Sequence, residues 1–451
     1  MENYNKPFVY FICLVSAMGG LLFGYDWVVI GGAKIFYEPY FGIVGDPAMQ
    51  GLAMSIALAG CLVGSLTAGM LADRLGRKPL LLISAFIFAT TAYGTGAFDN
   101  FSLFLAVRFL GGIAIGIASG LSPMYIAEVA PASVRGRLVS LNQLTIVIGI
   151  LAAQIVNWLL VSDDAEWNKQ MAWRWMFWAA AFPASAFLLL AAFIPESPRW
   201  LAMKGYRERA LRTLKHIGGQ KYAATELRVF DEIATQQKAQ GGLKTLFSRP
   251  YRWVLVIGIV VAMFQQWCGT NVIFNYAQEI FQAAGYNVNN TFINIVVTGI
   301  ANLVFTFVAI YTVDRLGRRA LMLIGAGGLA GIYFILGLCY RLEISGVLMV
   351  VLVVLAIACY AMSLGPVTWV LLSEIFPNKV RAVAVATATF ALWMASCILT
   401  YTFPFLNASL GTSGTFWIYA VVCSLGFVFF LLRLPETKGK SLEQLEDELV
   451  D

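Results

Sequence analysis

The segment Asp73-Arg74-Leu75-Gly76-Arg77-Lys78 occurs in a second form as Asp314-Arg315-Leu316-Gly317-Arg318-Arg319, 241 residues later. Both copies lie in a short charged gap between two long apolar runs. Similar segments that recur at a fixed interval indicate that a chain contains more than one copy of a structural unit.

Two further charged signatures repeat in the same order. Glu128 is matched by Glu374 at an offset of 246, and Pro195-Glu196-Ser197-Pro198 is matched by Pro435-Glu436-Thr437-Lys438 at an offset of 240. Three signatures at nearly one period predict that the chain is two copies of one membrane unit. Many secondary transporters are built from such repeats, with the binding site between the two halves.

The composition is that of an integral membrane protein. Of the 451 residues, 59% are hydrophobic and only 12% are charged, whereas soluble domains carry roughly 25% charged residues. Mean hydropathy is +0.75. The net charge of +6 does not indicate a nucleic-acid partner, because the basic residues lie in the loops between apolar runs.

The chain has little material for metal or histidine chemistry. Its seven cysteines mostly fall inside apolar runs without a CxxC pair, and its single histidine, His216, lies in a basic loop. Small buried cysteines of this kind are ordinary packing residues. We therefore expect no metal, no cofactor and no enzymatic activity, since a phosphate-binding loop is also missing from the sequence.

A bilayer core of roughly 30 Å needs about 20 apolar residues per helix, and on that measure the sequence predicts twelve spans. They are 8–35, 48–72, 79–98, 101–127, 137–161, 172–194, 251–281, 291–313, 320–340, 346–375, 381–406 and 414–433. The predicted fold is an all-α membrane protein with two pseudo-symmetric six-helix halves. The expected parts are a first half at 1–195, a linker at 196–250, a second half at 251–434 and a short cytoplasmic tail at 435–451. In the linker, the pattern of apolar residues suggests short amphipathic helices at the membrane surface.

The positive charges predict the orientation. If the linker, the alternate loops and both termini face the cytoplasm, that side holds 26 of the 31 Lys and Arg residues. Cytoplasmic loops are enriched in positive charge. We therefore expect a multi-pass protein of the cell membrane with both termini inside.

Asp26 and Arg108 are charged residues inside apolar spans. An ionised side chain at mid-bilayer costs about 2.5–3.5 kcal/mol, so it usually faces the bundle interior and has a partner. One interpretation is that Asp26 binds a proton and that Arg108 tunes its affinity for it. The alternative is a static ion pair that only stabilises packing.

The predicted seventh span carries Gln265-Gln266-Trp267-Cys268-Gly269-Thr270-Asn271, followed by Asn275. The glycine of this segment offers a point where the helix can break, as helices at transporter binding sites often do. Amides donate and accept hydrogen bonds without charge, which suits a neutral polyhydroxy ligand. The alternative is hydrogen bonding between helices. Gln143 in the fifth span and Asn302 in the eighth join this candidate set.

Two tryptophans in later spans are candidates for sugar contact. Trp369 follows a Gly-Pro pair in the tenth span, and Trp393 lies in the eleventh. An indole ring can pack on the apolar face of a sugar while its N–H donates to a hydroxyl. Packing without any ligand is the alternative for both.

The repeated charged residues lie at span ends, where charges can stay hydrated. We expect them to act as a conformational latch, with salt bridges that hold one state of the transporter and separate in the other. The latch residues are Asp73, Arg77, Glu128, Arg135, Arg137, Asp314, Arg318, Glu374 and Arg381.

Together these motifs resemble the sugar porter family of the major facilitator superfamily, over almost the whole chain. The resemblance rests on residues 20–26 (Gly-Leu-Leu-Phe-Gly-Tyr-Asp), both Asp-Arg-x-Gly-Arg tracts, 195–200 (Pro-Glu-Ser-Pro-Arg-Trp), 265–271 and 435–439 (Pro-Glu-Thr-Lys-Gly). It is nearest to the bacterial xylose–proton symporters, with the mammalian glucose facilitators next.

The resemblance implies roles for individual residues. Asp26 matches the proton-coupling acid of the symporters, Arg108 matches its partner, and Phe23 matches an aromatic that lines the site. The matches to sugar ligands are Gln143, Gln265, Gln266, Asn271, Asn302 and Trp369.

Three positions depart from the family pattern. Ile150 replaces a second glutamine of the xylose symporters, Leu392 replaces an amide ligand just before Trp393, and Asn275 replaces a frequent tyrosine. These changes leave the class of ligand intact but leave the sugar open, with a hexose as plausible as xylose.

The sequence therefore predicts a monomeric transporter in the lipid bilayer that imports a monosaccharide with a proton. A facilitative uniporter on the same fold is the first alternative. A non-transporting sugar receptor is a second, disfavoured by the short tail after the last span. A channel is disfavoured because the sequence has no charged pore ring.

Overall fold

The computed structural model of the chain describes residues 4–236, 243–377 and 380–438, without the side chains of 231–236, 243, 244, 310, 314 and 382. The described residues form helices joined by short connections, and none of them lies in a strand. The helices of the first part of the chain are α1 Lys6–Phe41, α2 Pro47–Leu75, α3 Arg77–Ala97, α4 Phe101–Val129, α5 Arg135–Leu160, α6 Ala165–Trp167, α7 Trp173–Trp178, α8 Ala181–Ala191, α9 Pro198–Met203 and α10 Arg207–Gln236. Those of the second part are α11 Leu243–Leu246, α12 Arg252–Trp267, α13 Thr270–Asn275, α14 Ala277–Ala283, α15 Val288–Leu316, α16 Arg318–Arg341, α17 Val347–Met362, α18 Leu364–Glu374 and α19 Arg381–Arg433.

Within the described ranges, eleven helical segments are long and apolar enough to cross a membrane. The last of them is Val383–Arg433, with 51 residues, which corresponds to about 77 Å at 1.5 Å per residue and exceeds one bilayer core of roughly 30 Å. Gly411 interrupts its helix with φ 67° and ψ 175°. Counting the parts before and after Gly411 separately gives the twelve spans predicted from the sequence.

Several spans contain a break. Between α12 and α13 the chain turns at Gly269, which has φ 84°, at the glycine where the sequence predicts a break. A second break at Tyr276 separates α13 from α14. In the tenth span the helix is interrupted at Ser363, two residues before the Gly365-Pro366 pair.

The linker helices α9 and α10 pack on each other. Gly219, with φ 79°, divides α10 into two parts. Six buried side chains join these helices: Leu201, Ala210, Leu214, Ala223, Leu227 and Phe230. These side chains pack on one another, and the position of the two helices at the membrane surface stays a prediction.

Two packing units account for the described residues. The first comprises those within Met1–Trp27, Ala59–Ala153 and Arg174–Gln240. The second comprises those within Val28–Leu58, Gln154–Trp173 and Gly241–Asp451. The division passes through α1, α2 and α5, and the six-helix halves at 1–195 and 251–434 stay a prediction.

Candidate functional site

In the first unit, Asp26 on α1 forms an ion pair with Arg108 on α4. Arg108 Nη1 donates to Asp26 Oδ1 at 2.7 Å, and the Arg108 side chain is only 4% exposed against 19% for Asp26. The guanidinium carbon lies 5.4 Å from the ring centroid of Phe177, a cation–π contact. Arg108 Nε has no hydrogen-bond partner among the described residues. The pair thus combines a fixed, buried cation with an acid that solvent can partly reach.

Two glycines allow α1 and α5 to approach so closely that their backbones touch. A Cβ at Gly24 would lie 1.9 Å from the carbonyl oxygen of Ile146, and a Cβ at Gly149 would lie 2.1 Å from that of Leu21. Only glycine tolerates such an approach. The glycine-rich stretch before Asp26 therefore places the acid-bearing part of α1 directly on α5.

Phe23, one turn before Asp26, is partly buried in the same unit. Its ring meets that of Trp27 edge to face, with centroids 5.5 Å apart. Aromatic pairs favour this geometry, so the aromatic that the resemblance assigns to the site has a defined orientation.

In the second unit, the amides predicted in the seventh span form one hydrogen-bonded chain. Asn271 Nδ2 donates to Gln266 Oε1, and Gln266 Nε2 donates to Gln265 Oε1 at 2.7 Å. All three residues are buried, with at most 7% of their surface exposed. The break at Gly269 returns α13 toward the end of α12. Each amide has more than one hydrogen-bonding position, so the chain can bind a hydroxyl while it orients its own members.

The other predicted sugar ligands are placed as follows. Gln143 is partly buried in the first unit, and Asn302 is buried in the second. Within the residues that the structure describes, no side-chain hydrogen bond joins Asn302 to the amide chain. Trp369 is 41% exposed, whereas Trp393 is 2% exposed. Of these two indoles, only Trp369 presents a large accessible face.

At the other end of the first unit, Arg77 joins two predicted latch residues. Its Nε and Nη2 atoms each donate to one carboxylate oxygen of Glu128 at 2.9 Å. Its Nη1 atom contacts Asp73 Oδ1 at 3.3 Å and the carbonyl oxygen of Ala72 at 3.0 Å. Asp73 is well exposed at 75%, while Arg77 and Glu128 are buried. The strong member of this set is therefore the bidentate Arg77–Glu128 pair.

The second unit repeats this arrangement. Arg318 Nη2 donates to Glu374 Oε1 at 3.1 Å, and Glu374 Oε2 accepts from the hydroxyl of Thr437 at 2.5 Å. The side chain of Asp314, the predicted counterpart of Asp73, lies outside the described part of the chain.

The remaining predicted latch residues make weaker contacts. Arg135 Nε donates to the carbonyl oxygen of Ala130 at 3.4 Å, and Arg381 Nε donates to that of Phe376 at 3.0 Å. Arg137 is exposed.

Two acidic residues that the sequence analysis did not assign a role belong to the same arrangement. Glu196 accepts hydrogen bonds from the backbone N–H groups at the start of α3, at 2.9 Å for Arg77 and 3.2 Å for Lys78. Glu436 does the same at the start of α16, at 3.0 Å for Arg318 and 3.2 Å for Arg319. A carboxylate at a helix N-terminus satisfies free N–H groups and complements the helix dipole.

A signal for this capping role was present in the sequence. The motifs that contain Glu196 and Glu436 are 240 residues apart, nearly the same interval as the 241 residues between the two Asp-Arg-x-Gly-Arg tracts. Burial raises the pKa of the Glu196 carboxyl, while the backbone donors and the Arg77 charge oppose that shift.

Comparisons with known proteins cover almost the whole chain. The family model described as sugar (and other) transporter matches residues 12–449. An arabinose–proton symporter of Bacillus subtilis is 38% identical, with 99% of this chain and 96% of the relative covered. A D-xylose–proton symporter of Escherichia coli is 37% identical, with 98% and 96% covered. An inward-open structure of the E. coli xylose transporter XylE matches with a TM-score of 0.87 and 36% identity, covering 98% of this chain and 100% of that one.

The match therefore extends over the amide chain, the Asp26–Arg108 pair and both helix-end arrangements, and the fold is that of the major facilitator superfamily. This chain belongs to the sugar (and other) transporter family.

Proposed function

We propose that this protein imports a monosaccharide together with a proton by alternating access. The observation that carries the proposal is the Asp26–Arg108 ion pair, which puts a titratable acid inside a span of a sugar transporter. An ionisable residue within a membrane span is costly and is usually part of an ion or substrate pathway. The named proton symporters among the relatives support the same assignment.

The amide chain is the proposed sugar site. Gln265, Gln266 and Asn271 bind sugar hydroxyls, with Gln143, Asn302 and Phe23 completing the set and the exposed ring of Trp369 packing on the sugar. Trp393, which is buried, is a further candidate for sugar contact. A neutral polyhydroxy ligand needs donors and acceptors in equal measure, which amides supply.

The substrate class is a pentose or a hexose. The relatives are named for arabinose and xylose, both pentoses, but Ile150 gives this chain a fifth span that differs from the xylose symporter pattern. The protein acts as a monomer in the cell membrane, because one chain carries the acid, its partner and all the proposed ligands. Both termini face the cytoplasm, in keeping with the distribution of Lys and Arg.

Protonation of Asp26 weakens its attraction to Arg108 and permits the change of state. The free energy comes from the pH gradient and from the membrane potential, which contributes about 2.3 kcal/mol per charge per 100 mV. The proposed cytoplasmic latch, which separates and re-forms during the cycle, consists of the Arg77–Glu128 and Arg318–Glu374 pairs together with Asp73, Asp314, Arg135, Arg137 and Arg381.

Proton movement on sugar addition tests the proposal. The purified protein is reconstituted into liposomes that contain a pH-sensitive dye, and arabinose, xylose, glucose, galactose, mannose and fructose are added in turn. We expect acidification of the lumen with one or two of these sugars and none with Asp26→Asn. Equilibration of a labelled sugar without acidification would instead establish a facilitative uniporter, in which Asp26 is only a structural charge.

A further inference from the structure

A second buried ionic cluster lies in the second unit, near the C-terminal end of α1. Lys34 Nζ binds Oε1 of Glu279 on α14 and lies 3.5 Å from Oε1 of Glu38 on its own helix. The Lys34 side chain is 5% exposed, and that of Glu38 is 9% exposed. Glu38 Oε2 also accepts from Gln50 Nε2 on α2 at 2.7 Å. Lys34 thus joins two carboxylates across α1 and α14, and Glu38 extends the cluster to α2.

The segment that carries Glu279 is connected to its neighbours by non-helical residues at both ends. α14 has only seven residues, it follows the break at Tyr276, and Gly285 behind it has φ 88°. Two polar ties join α14 to α1: the Lys34–Glu279 pair and the hydrogen bond from Gln278 Nε2 to the carbonyl oxygen of Gly32 at 2.7 Å. A short helix with such ends can move without distorting α12 or α15.

The contact surface between α1 and its neighbours contains buried polar atoms without partners. Three amide oxygens around Gly31 and Gly32 accept no hydrogen bond within the described structure, namely those of Asn157, Asn275 and Gln278. These residues are 2%, 4% and 0% exposed. Each buried unsatisfied polar group costs about 1–3 kcal/mol. A contact that is closed permanently would not be expected to retain three of them, whereas one that opens to water during a cycle satisfies them in its open state.

We propose that Lys34 is the ionic lock of an outer gate, holding α14 against α1 through Glu279 while Glu38 orients its ammonium group. This inference rests on the proposed alternating-access function and adds a positioning residue to it. The lock closes the outer path while the sugar is released inward, and it opens to admit sugar past the amide oxygens of Asn157, Asn275 and Gln278.

Charge balance explains why the cation matters. Removal of Lys34 leaves the buried Glu38 and the partly exposed Glu279 near each other without their shared cation, and an uncompensated buried charge is destabilising. The closed contact therefore weakens, and the gate shifts toward its open state. Lys34→Arg keeps the positive charge and should keep the gate closed.

Cysteine accessibility measures the gate directly. The probe is Asn275→Cys, because Asn275 is 4% exposed and its side chain makes no hydrogen bond with the described residues. Intact cells are treated with a membrane-impermeant maleimide without sugar and without a pH gradient. The native chain supplies the background from its own cysteines. We expect Lys34→Met to raise the labelling rate about tenfold, which corresponds to ~1.4 kcal/mol in the gate equilibrium.

Arg174→Met is the matched control. Arg174 is 8% exposed and pairs with Asp99 Oδ1 at 2.5 Å in the first unit, so the variant removes a comparable buried cation from a different ion pair. We expect it to leave the labelling rate unchanged and Lys34→Arg to label at the rate of the parent. Glu279→Gln leaves Lys34 paired with Glu38, so it should raise the labelling rate less than Lys34→Met. It replaces Lys34→Met as the test if the Lys34→Met protein does not fold.

Three results would overturn the lock: parental labelling in both Lys34→Met and Glu279→Gln, rapid labelling in Lys34→Arg, or equally rapid labelling in Arg174→Met. Because labelling requires neither sugar nor proton transport, a failure of proton coupling in liposomes leaves the lock intact.

Discussion

Arg77 and Glu128 form a bidentate ion pair at 2.9 Å through both carboxylate oxygens, across 51 residues of sequence. The second unit has the corresponding Arg318–Glu374 contact through one oxygen at 3.1 Å, with Thr437 occupying the other. The repeated motif therefore builds the same connection twice with different strength. In both places a carboxylate from another segment, Glu196 or Glu436, also caps the helix that carries the arginine.

Replacing Arg77 with alanine should destabilise the protein more than replacing an exposed arginine nearby. The substitution leaves the buried Glu128 carboxylate without its cation, a loss of about 3 kcal/mol in the free energy of unfolding. The midpoint of thermal unfolding in detergent measures it. Arg137→Ala is the control, because Arg137 is exposed. Equal midpoints for the two variants would contradict a structural role for the bidentate pair.

Asp26→Asn should separate proton coupling from sugar movement. The amide keeps the size of the carboxylate but cannot carry a proton, so we expect accumulation of sugar against its gradient to be lost. Exchange of labelled for unlabelled sugar needs no net proton movement and should be retained. Counterflow and proton-driven uptake, measured in the same liposomes, give this comparison. Full accumulation in the variant would remove Asp26 from the coupling mechanism.

Gln266→Ala should weaken sugar binding, because Gln266 both accepts from Asn271 and donates to Gln265. Removing it leaves two buried amides without their shared partner, and a loss of about 1.4 kcal/mol would raise KM roughly tenfold. Uptake kinetics provide the measurement. Gln282→Ala removes an exposed amide of α14 and should leave KM unchanged. A parental KM for Gln266→Ala would exclude the amide chain as a ligand.

Gly269→Ala should destabilise the break in the seventh span. The residue has φ 84°, and an added Cβ would lie 2.8 Å from the ring of Tyr419. Backbone strain alone costs an L-residue about 1–2 kcal/mol in this conformation. We expect a lower unfolding midpoint and slower transport. Gly331→Ala, in the middle of α16 with open space around it, should be neutral or slightly stabilising. An unchanged midpoint in Gly269→Ala would mean that the break does not require glycine.

The sequence predicted the spans and the pairings better than the breaks. Apolar length located the membrane helices, because a helix must match the thickness of the bilayer. The Asp26–Arg108 contact was also foreseeable, since two opposite charges within apolar spans have few alternatives. The break at Ser363 was not predicted, because the proline after Gly365 suggests a flexure but does not say which neighbouring backbone bond yields.

The linker helices show what the spacing of apolar residues cannot determine. Its apolar spacing correctly indicated amphipathic helices, but the same stripe can lie on a lipid surface or on another helix. The structure shows that Leu214 and Leu227 of α10 share a buried cluster with Leu201 of α9, a contact that the spacing alone does not reveal. Lys34 illustrates a related limit: its spacing from Glu38 was visible in the sequence, but its bond to Glu279, 245 residues away, was not.

By itself the sequence determined the membrane character of this protein, its internal repeat, its family resemblance and the residue types of its sites, because hydropathy, charge and recurring motifs are local properties of the chain. Only the tertiary structure decided which charges pair, which amides join into one hydrogen-bonded chain and which glycines allow backbone contact. Those relations depend on distances of a few ångströms between segments far apart in sequence, and the packing of whole helices sets such distances.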